Sequence, residues 1–271
     1  MDNNKQDKIK EISIELLCYF DSFCKEHNLK YTISFGTALG AVRHGGFIPW
    51  DDDVDVSMPI EDYYRFEKLW KKYGNKEKYF LQSKKTEPLI PVTFNRLRLN
   101  GTTWSEPGYE KYPIHYGIPI DIFPIYNVSN NYLMRKIQCR TDKLGQLFCS
   151  YPWRKNRTSG FLVRISAILS RMVLIVLRFF NFIFSKSGVC YCSYDNPMKC
   201  TYRKEWLFPC KDIKFENIIL QICSNPDKCL TECYGDYMTP PPEDKREGHP
   251  EGIIDLENDS EKYTGVRRRN K

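Results

Sequence analysis

The chain has 271 residues, 41% hydrophobic and 14% aromatic, with 41 Lys/Arg against 34 Asp/Glu and a net charge of +7. Such a composition sustains a buried core in one large domain, or in one domain with a substantial appendage, and excludes disorder, collagen and a multi-span membrane protein. The modest, dispersed positive charge fits an anionic partner such as a nucleotide, a phosphate or a membrane face, and gives no indication of nucleic acid.

The opening "MDNNKQDKIK" is polar, with no secretory n-region and h-region, so the expected location is cytoplasmic. Residues 8–27 place Ile9, Ile12, Leu16, Tyr19, Phe20 and Phe23 at helical spacing and predict an amphipathic helix. "LKYTISFGT" reads as a short strand ending at Gly36, and "ALGAVRHGG" as a helix closed by Gly45 and Gly46. "FIPW" bends the chain into "DDDVDVSM", whose period-two alternation predicts a strand. A helix follows in "IEDYYRFEKLWKKY", stopped by Gly74, and strands are expected at 91–99 and 117–123. Residues 129–185 read as helical with a break near 150–160. Residues 200–249 read as strand and turn, ending in the proline-stiffened loop "YGDYMTPPPEDKREGHP". The expected organisation is a catalytic core over 1–128, a helical segment over 129–199, a part completing the site over 200–254, and a mobile basic tail over 255–271.

Eleven cysteines without a leader are expected to be free thiols in a reducing compartment. The spacings of Cys190, Cys192, Cys200, Cys210, Cys229 and Cys233 leave zinc as a lesser alternative.

The aspartates carry the chemistry. Asp51, Asp52, Asp53 and Asp55 crowd into five positions, where carboxylates ~5 Å apart repel by roughly 3 kcal/mol at an effective dielectric near 20. On a strand, Asp51, Asp53 and Asp55 share one face, while Asp52, Val54 and Val56 share the other and fix the register. Rigid carboxylates at i and i+2 suit Mg²⁺, which keeps waters and also takes substrate phosphate oxygens. A solvated acidic turn is the plainer alternative, which the interleaved valines disfavour. Gly36 and Thr37, between a strand and a helix, would offer backbone amides and a hydroxyl to a phosphate. Asp121, flanked by isoleucines in "GIPIDIFPIY", is a carboxylate on a core strand and must be paired or bind a metal.

The stretches "YTISFGTALGAVRHGGFIPWDDDVDVSMP", "NRLRLNGTTW", "IDIFPIY" and "YGDYMTPPPEDKREGHP" together resemble the LicD family. The resemblance runs from about residue 8 to 125 and resumes around 205–249. It implies an α+β (α/β) nucleotidyltransferase-like mixed sheet with flanking helices, to which the helical middle would be an insertion. It also implies a phosphocholine or related phosphoryl-alcohol transferase that uses a CDP-linked donor such as CDP-choline, Mg²⁺ (or Mn²⁺) and a cell-surface glycan acceptor.

On that expectation the metal sits on Asp53 and Asp55 with Asp51 adjacent, and Asp121 completes the site or takes the proton of the attacking hydroxyl. Gly36 and Thr37, with Arg43 one helical turn on, face the diphosphate. Arg96 and Arg98 share a strand face and are further phosphate candidates, with an exposed basic edge strand as the alternative. A choline head group needs aromatic rings, for which Trp50, Trp104, Tyr109, Tyr116 and Tyr237 are candidates. Nucleotidyl transfer proper, a glycosyltransferase using Asp53-Val54-Asp55, and a degenerate binding module are the alternatives. Finally, residues 161–184 are long enough to span a bilayer, but Arg164, Arg171 and Arg178 cost roughly 8–10 kcal/mol at its centre. Such a helix would lie in the lipid interface, near a lipid-linked acceptor at the inner face of the cell membrane, or else be a core helix with a solvent-facing arginine stripe.

Overall fold

The computed structural model describes residues 3–105, 107, 112–156, 159–193, 198, 200–246, 248 and 252–264. The amphipathic helix α1 (Asn3–Glu26) turns Ile9, Leu16, Leu17, Phe20 and Phe23 into the core. The chain then forms β1 (Thr32–Ile33), α2 (Phe35–Arg43) and β2 (Asp55–Pro59). Helix α3 (Ile60–Tyr73) begins on Glu61 and Asp62, acids that suit a helix N-terminus, and ends at Gly74. Strands β3 (Tyr79–Gln82), β4 (Asn95–Leu99), β5 (Thr103–Trp104) and β6 (Pro119–Asn127) follow. The nearly unbroken apolar run of β6 is buried on both faces, as befits an interior strand.

Helices α4 (Tyr132–Arg154) and α5 (Phe161–Ile183) form a hairpin. Gly145 lets the two approach, since a Cβ there would lie 2.9 Å from Val173 Cγ1. After it come β7 (Val189–Cys192), β8 (Tyr202–Arg203), α6 (Lys204–Leu207), β9 (Lys211–Phe215), β10 (Ile218–Ile222), α7 (Pro226–Tyr234), β11 (Ile254–Asp255) and α8 (Glu261–Thr264).

The main sheet runs β3-β4-β6-β2-β1-β10-β9, with β7 paired to β6 and β8 to β7. Strands β2 and β6 are parallel, as are β1 and β10, and the other pairs are antiparallel. This is the mixed sheet with flanking helices that the sequence leads one to expect.

Several boundaries differ. The first strand stops at Ile33, so Gly36 and Thr37 belong to the first turn of α2. Residues 51–54 are irregular and the ladder proper begins at Asp55. Residues 91–94 precede their strand, and α7 was not anticipated. Of the mobile tail expected over 255–271, residues 255–264 are structured and 265–271 lie outside the described residues: Ile254 and Asp255 pair with Trp104 and Thr103, and the Asn258 carbonyl accepts from Thr103 Oγ1 at 2.8 Å. Cys200 and Cys233 form a disulfide, which departs from the expectation of thiols throughout, while the other nine cysteines are thiols.

Candidate active site

Three neighbouring strands bring the charges together. In register, Arg96 on β4 lies beside Asp121 on β6, and Asp121 lies beside Asp55 on β2. Arg96 Nε donates to Asp121 Oδ1 at 2.9 Å and Arg96 Nη2 to Oδ2 at 3.2 Å, a two-pronged grip that orients the carboxylate. The Asp55 backbone N–H donates to Thr37 Oγ1 at 2.8 Å, and its carbonyl accepts from Ser34 N–H at 3.0 Å. Thr37 Oγ1 thereby ties β2 to α2 as an acceptor. Burial pushes the Asp55 carboxyl well above the usual carboxylate range, and the charges of Asp53, Asp121 and Asp51 push the same way, opposed by Arg96. Four carboxylates thus share one electrostatic environment with one guanidinium.

The first turn of α2 is shaped for Asp51. Phe35 adopts a left-handed backbone (φ +46°), a conformation that costs a non-glycine residue of order 1–3 kcal/mol. Its ring packs edge-on against Phe123 of β6, with centroids 5.0 Å apart. The turn presents Gly36 to the aspartate loop so closely that a Cβ on Gly36 would lie 2.5 Å from Asp51 Oδ2. Glycine is needed here for approach. The neighbouring segment is clipped by the β9–β10 turn, where Glu216 Oε1 accepts from Phe47 N–H at 2.9 Å.

A second group of side chains forms a rim at the other end of α2. Arg43 is the last residue of that helix, two turns from Gly36 rather than one. Its Nη1 donates to the Tyr237 carbonyl at 2.7 Å. Burial and the nearby Arg246 lower the Arg43 value. The Arg246 guanidinium stands 5.0 Å over the Trp50 ring, the position a quaternary ammonium would take on that ring. Tyr237 is engaged through its hydroxyl, which donates to Asp227 Oδ1 at 2.8 Å. Gly248 lies against this corner too, where a Cβ would be 3.0 Å from the Trp50 carbonyl.

Other expected residues lie elsewhere. Arg98 is buried, its Nε donating to Gln82 Oε1 at 2.7 Å and its Nη1 to the Gly117 carbonyl at 2.6 Å. Burial and Arg96 push it down to about 9. Strand β4 is interior, not an exposed edge, because β3 covers its outer side. Trp104 lies on the β5–β11 ribbon. Tyr116 packs in a small buried cluster with Ile90, Tyr112 and Ile114, and Tyr109 lies outside the described residues. Sequence reasoning missed Arg246 and Glu216. The signal for Arg246 was the proline-stiffened loop that carries it, but nothing local says where that loop returns.

The residues fit a divalent cation in charge and in chemistry: hard oxygen donors, one of them buried and destabilised as an anion by its neighbours. Among the described residues no group of three or more Asp, Glu, His or Cys side chains is placed to hold a metal ion together. Mg²⁺ is ordinarily held by one or two carboxylates, with waters and substrate phosphates completing its shell.

A family model described as LicD/FKTN/FKRP, nucleotidyltransferase domain, matches residues 28–146. The chain is similar to the lipopolysaccharide cholinephosphotransferase LicD of Haemophilus influenzae, 25% identical over 263 residues that cover 88% of this chain and 93% of the relative. An uncharacterized protein of Rickettsia prowazekii is 29% identical over 138 residues, 48% of this chain and 50% of that one. The ribitol 5-phosphate transferase FKRP of Mus musculus is 46% identical over 41 residues, 15% of this chain and 8% of the relative.

Proposed function

We propose that this chain, whose residues 28–146 match the LicD/FKTN/FKRP nucleotidyltransferase family model, transfers phosphocholine or a related phosphoryl-alcohol from a CDP-linked donor to a hydroxyl of a cell-surface glycan precursor. The observation that carries the reading is the three-strand alignment of Arg96, Asp121 and Asp55, with Asp51 seated on Gly36. The similarity to a cholinephosphotransferase over most of both chains supports the reaction class. We place the reaction in the cytoplasm, at the inner face of the membrane.

In this reading Asp53 and Asp55 hold Mg²⁺ or Mn²⁺, with Asp51 beside them and Asp121 completing the set. The bound ion supplies charge neutralisation for the diphosphate and the leaving group. The acceptor hydroxyl attacks the phosphorus bearing the alcohol, the bond to the bridging oxygen breaks, and cytidine monophosphate departs. Asp121, aimed by Arg96, stands where it can take the hydroxyl proton. Arg96, beside Asp121 on the sheet, is the cation assigned to a phosphate oxygen. Gly36 makes room for the Asp51 carboxylate, and Thr37 keeps α2 and β2 in place.

The test is incubation with Mg²⁺ or Mn²⁺ and a panel of CDP-alcohols, with cytidine monophosphate as readout. Release with at least one donor, stopped by a chelator and reduced at least about a hundredfold in Asp55→Asn or Asp53→Asn, is the expected result. The melting temperature should hold or rise, because like-charge repulsion is relieved. Asp121→Asn should be similarly damaging, with little further loss when combined with Asp53→Asn. A product that carries the nucleoside monophosphate would establish nucleotidyl transfer instead, and consumption of a sugar nucleotide would establish glycosyl transfer.

A further inference from the structure

Helix α5 is packed the wrong way round for a soluble domain. Its buried face carries Val163, Ser166, Ser170, Leu177 and Asn181. The two serines satisfy themselves on carbonyls of their own helix, Val163 and Ala167, both at 2.9 Å. Asn181 fastens the helix to the body: its Oδ1 accepts from Asn127 N–H at 2.8 Å, and its Nδ2 donates to Glu61 Oε1 at 3.0 Å. The opposite face presents Phe161, Ile168, Met172, Ile175, Phe179 and Phe182 at spacings of three, four and seven residues, a single stripe. Phe161 and Phe182 are each 76% exposed and Ile175 is 68% exposed. Of nineteen exposed large hydrophobic side chains among the described residues, fourteen lie on α4 and α5.

The net positive charge is not dispersed, as the overall composition suggested, but concentrated on the same hairpin. Residues 132–183 contain ten Lys/Arg and a single Asp, whereas the rest of the chain contains thirty-one Lys/Arg and thirty-three Asp/Glu. That single Asp, Asp142, is buried. Two of the three α5 arginines lie on the flank of the stripe: Arg171 Nη2 donates to the Lys84 carbonyl at 2.8 Å, and the Arg178 guanidinium stacks 4.5 Å over the Tyr64 ring. Arg140 and Lys143 are exposed on α4.

We propose that the outward face of α5 is a docking surface for an anionic lipid bilayer, with the helix lying in the plane of the interface. Apolar side chains enter the acyl boundary and the surrounding basic side chains meet the headgroups. No helix among the described residues is long and apolar enough to cross a membrane, so the mode is interfacial. A second copy is the wrong occupant, because it would set two strongly basic hairpins against each other. The inference is independent of the transferase reading, since its readout is lipid binding alone.

Flotation of the full chain with vesicles of equal parts phosphatidylcholine and phosphatidylglycerol tests it. The protein should float at low salt and partition at least about tenfold less on pure phosphatidylcholine or at high salt. The variant Ile175→Ser/Phe179→Ser/Phe182→Ser, altered only at exposed positions, should lose binding by a similar factor while keeping its circular dichroism and melting temperature. Arg140→Glu/Lys143→Glu should weaken binding with the apolar stripe intact. A wild type that stays out of the float fraction at low salt overturns the proposal. So does a triple-serine variant that floats unchanged, or a vesicle-free dimer that this variant converts to monomer.

Discussion

Gly36 and Asp51 touch with no room for a methyl group between them. A Cβ at position 36 would stand 2.5 Å from Asp51 Oδ2, closer than real Cβ contacts come, so Gly36→Ala must displace the carboxylate. Asp51 is one of the charges acting on Asp55, and displacing it rearranges the cluster without deleting a ligand. The expected outcome is a loss of cytidine monophosphate release of about 10- to 100-fold, since misplacements near 1 Å are felt on that scale. The fold should persist, because alanine is favoured over glycine in a helix by up to about 1 kcal/mol. Full activity in Gly36→Ala would remove Asp51 from the site. The arginines teach a related lesson at this scale. Arg96 and Arg98 have the same spacing and the same side chain, yet one grips Asp121 and the other is buried on Gln82 and a carbonyl. Nothing in "NRLRL" distinguishes them, because the difference lies in what β3 and β6 bring alongside.

At the scale of elements, helix α4 contains an ionisable group with a cost. Asp142 is buried, its Oδ1 has no hydrogen-bond partner, and burial alone pushes its carboxyl up to about 7. Tyr126 of β6 and Tyr191 of β7 face it, and Cys139 is near it on the same helix. The folded value lies above the ordinary one, so between about pH 4 and pH 7 the folded chain keeps a proton that the unfolded chain releases. Stability therefore falls as pH rises through that window and is flat above it, by an amount on the order of 2–4 kcal/mol. Asp142→Asn should melt higher than the parent at pH 8 by several degrees, with the gap shrinking towards pH 4. A gap independent of pH would show that Asp142 is not the titrating group. The long helices and the two central strands were legible from their patterns, since α1, α3, α4 and α5 each run for three turns or more and β6 is an apolar run broken by Asp121. The irregular lead-in at 51–54 was not, because alternation of charge and valine serves an extended loop as well as a strand. Short α7 offered too few turns to declare itself.

Across the whole molecule the frame of the site is drawn from both halves of the chain. Strand β1 pairs on one side with β2 and on the other with β10, so that Ile33 lies beside Ile222. The segment matched by the family model, 28–146, lacks α1, β7, β9 and β10. Expressed alone it would have an uncovered β1 edge and an unfilled core, and it should be insoluble or bind hydrophobic dyes. A cooperative melt and a dispersed amide spectrum from that fragment would contradict the sheet order. This long-range pairing was the least legible part of the fold, because no local pattern in "IILQI" names a partner so far upstream.

The β1–β10 pair also sets a clock on biosynthesis. Its two residues are separated by 189 positions, so at a usual translation rate some 10–40 s pass between the emergence of Ile33 and that of Ile222. During that interval the aspartate loop is made but its sheet is open, and the apolar hairpin of α4 and α5 has already left the ribosome. The sheet that frames the aspartate loop is thereby incomplete until Ile222 has emerged. The exposed hairpin is meanwhile the segment most in need of a chaperone or a lipid surface.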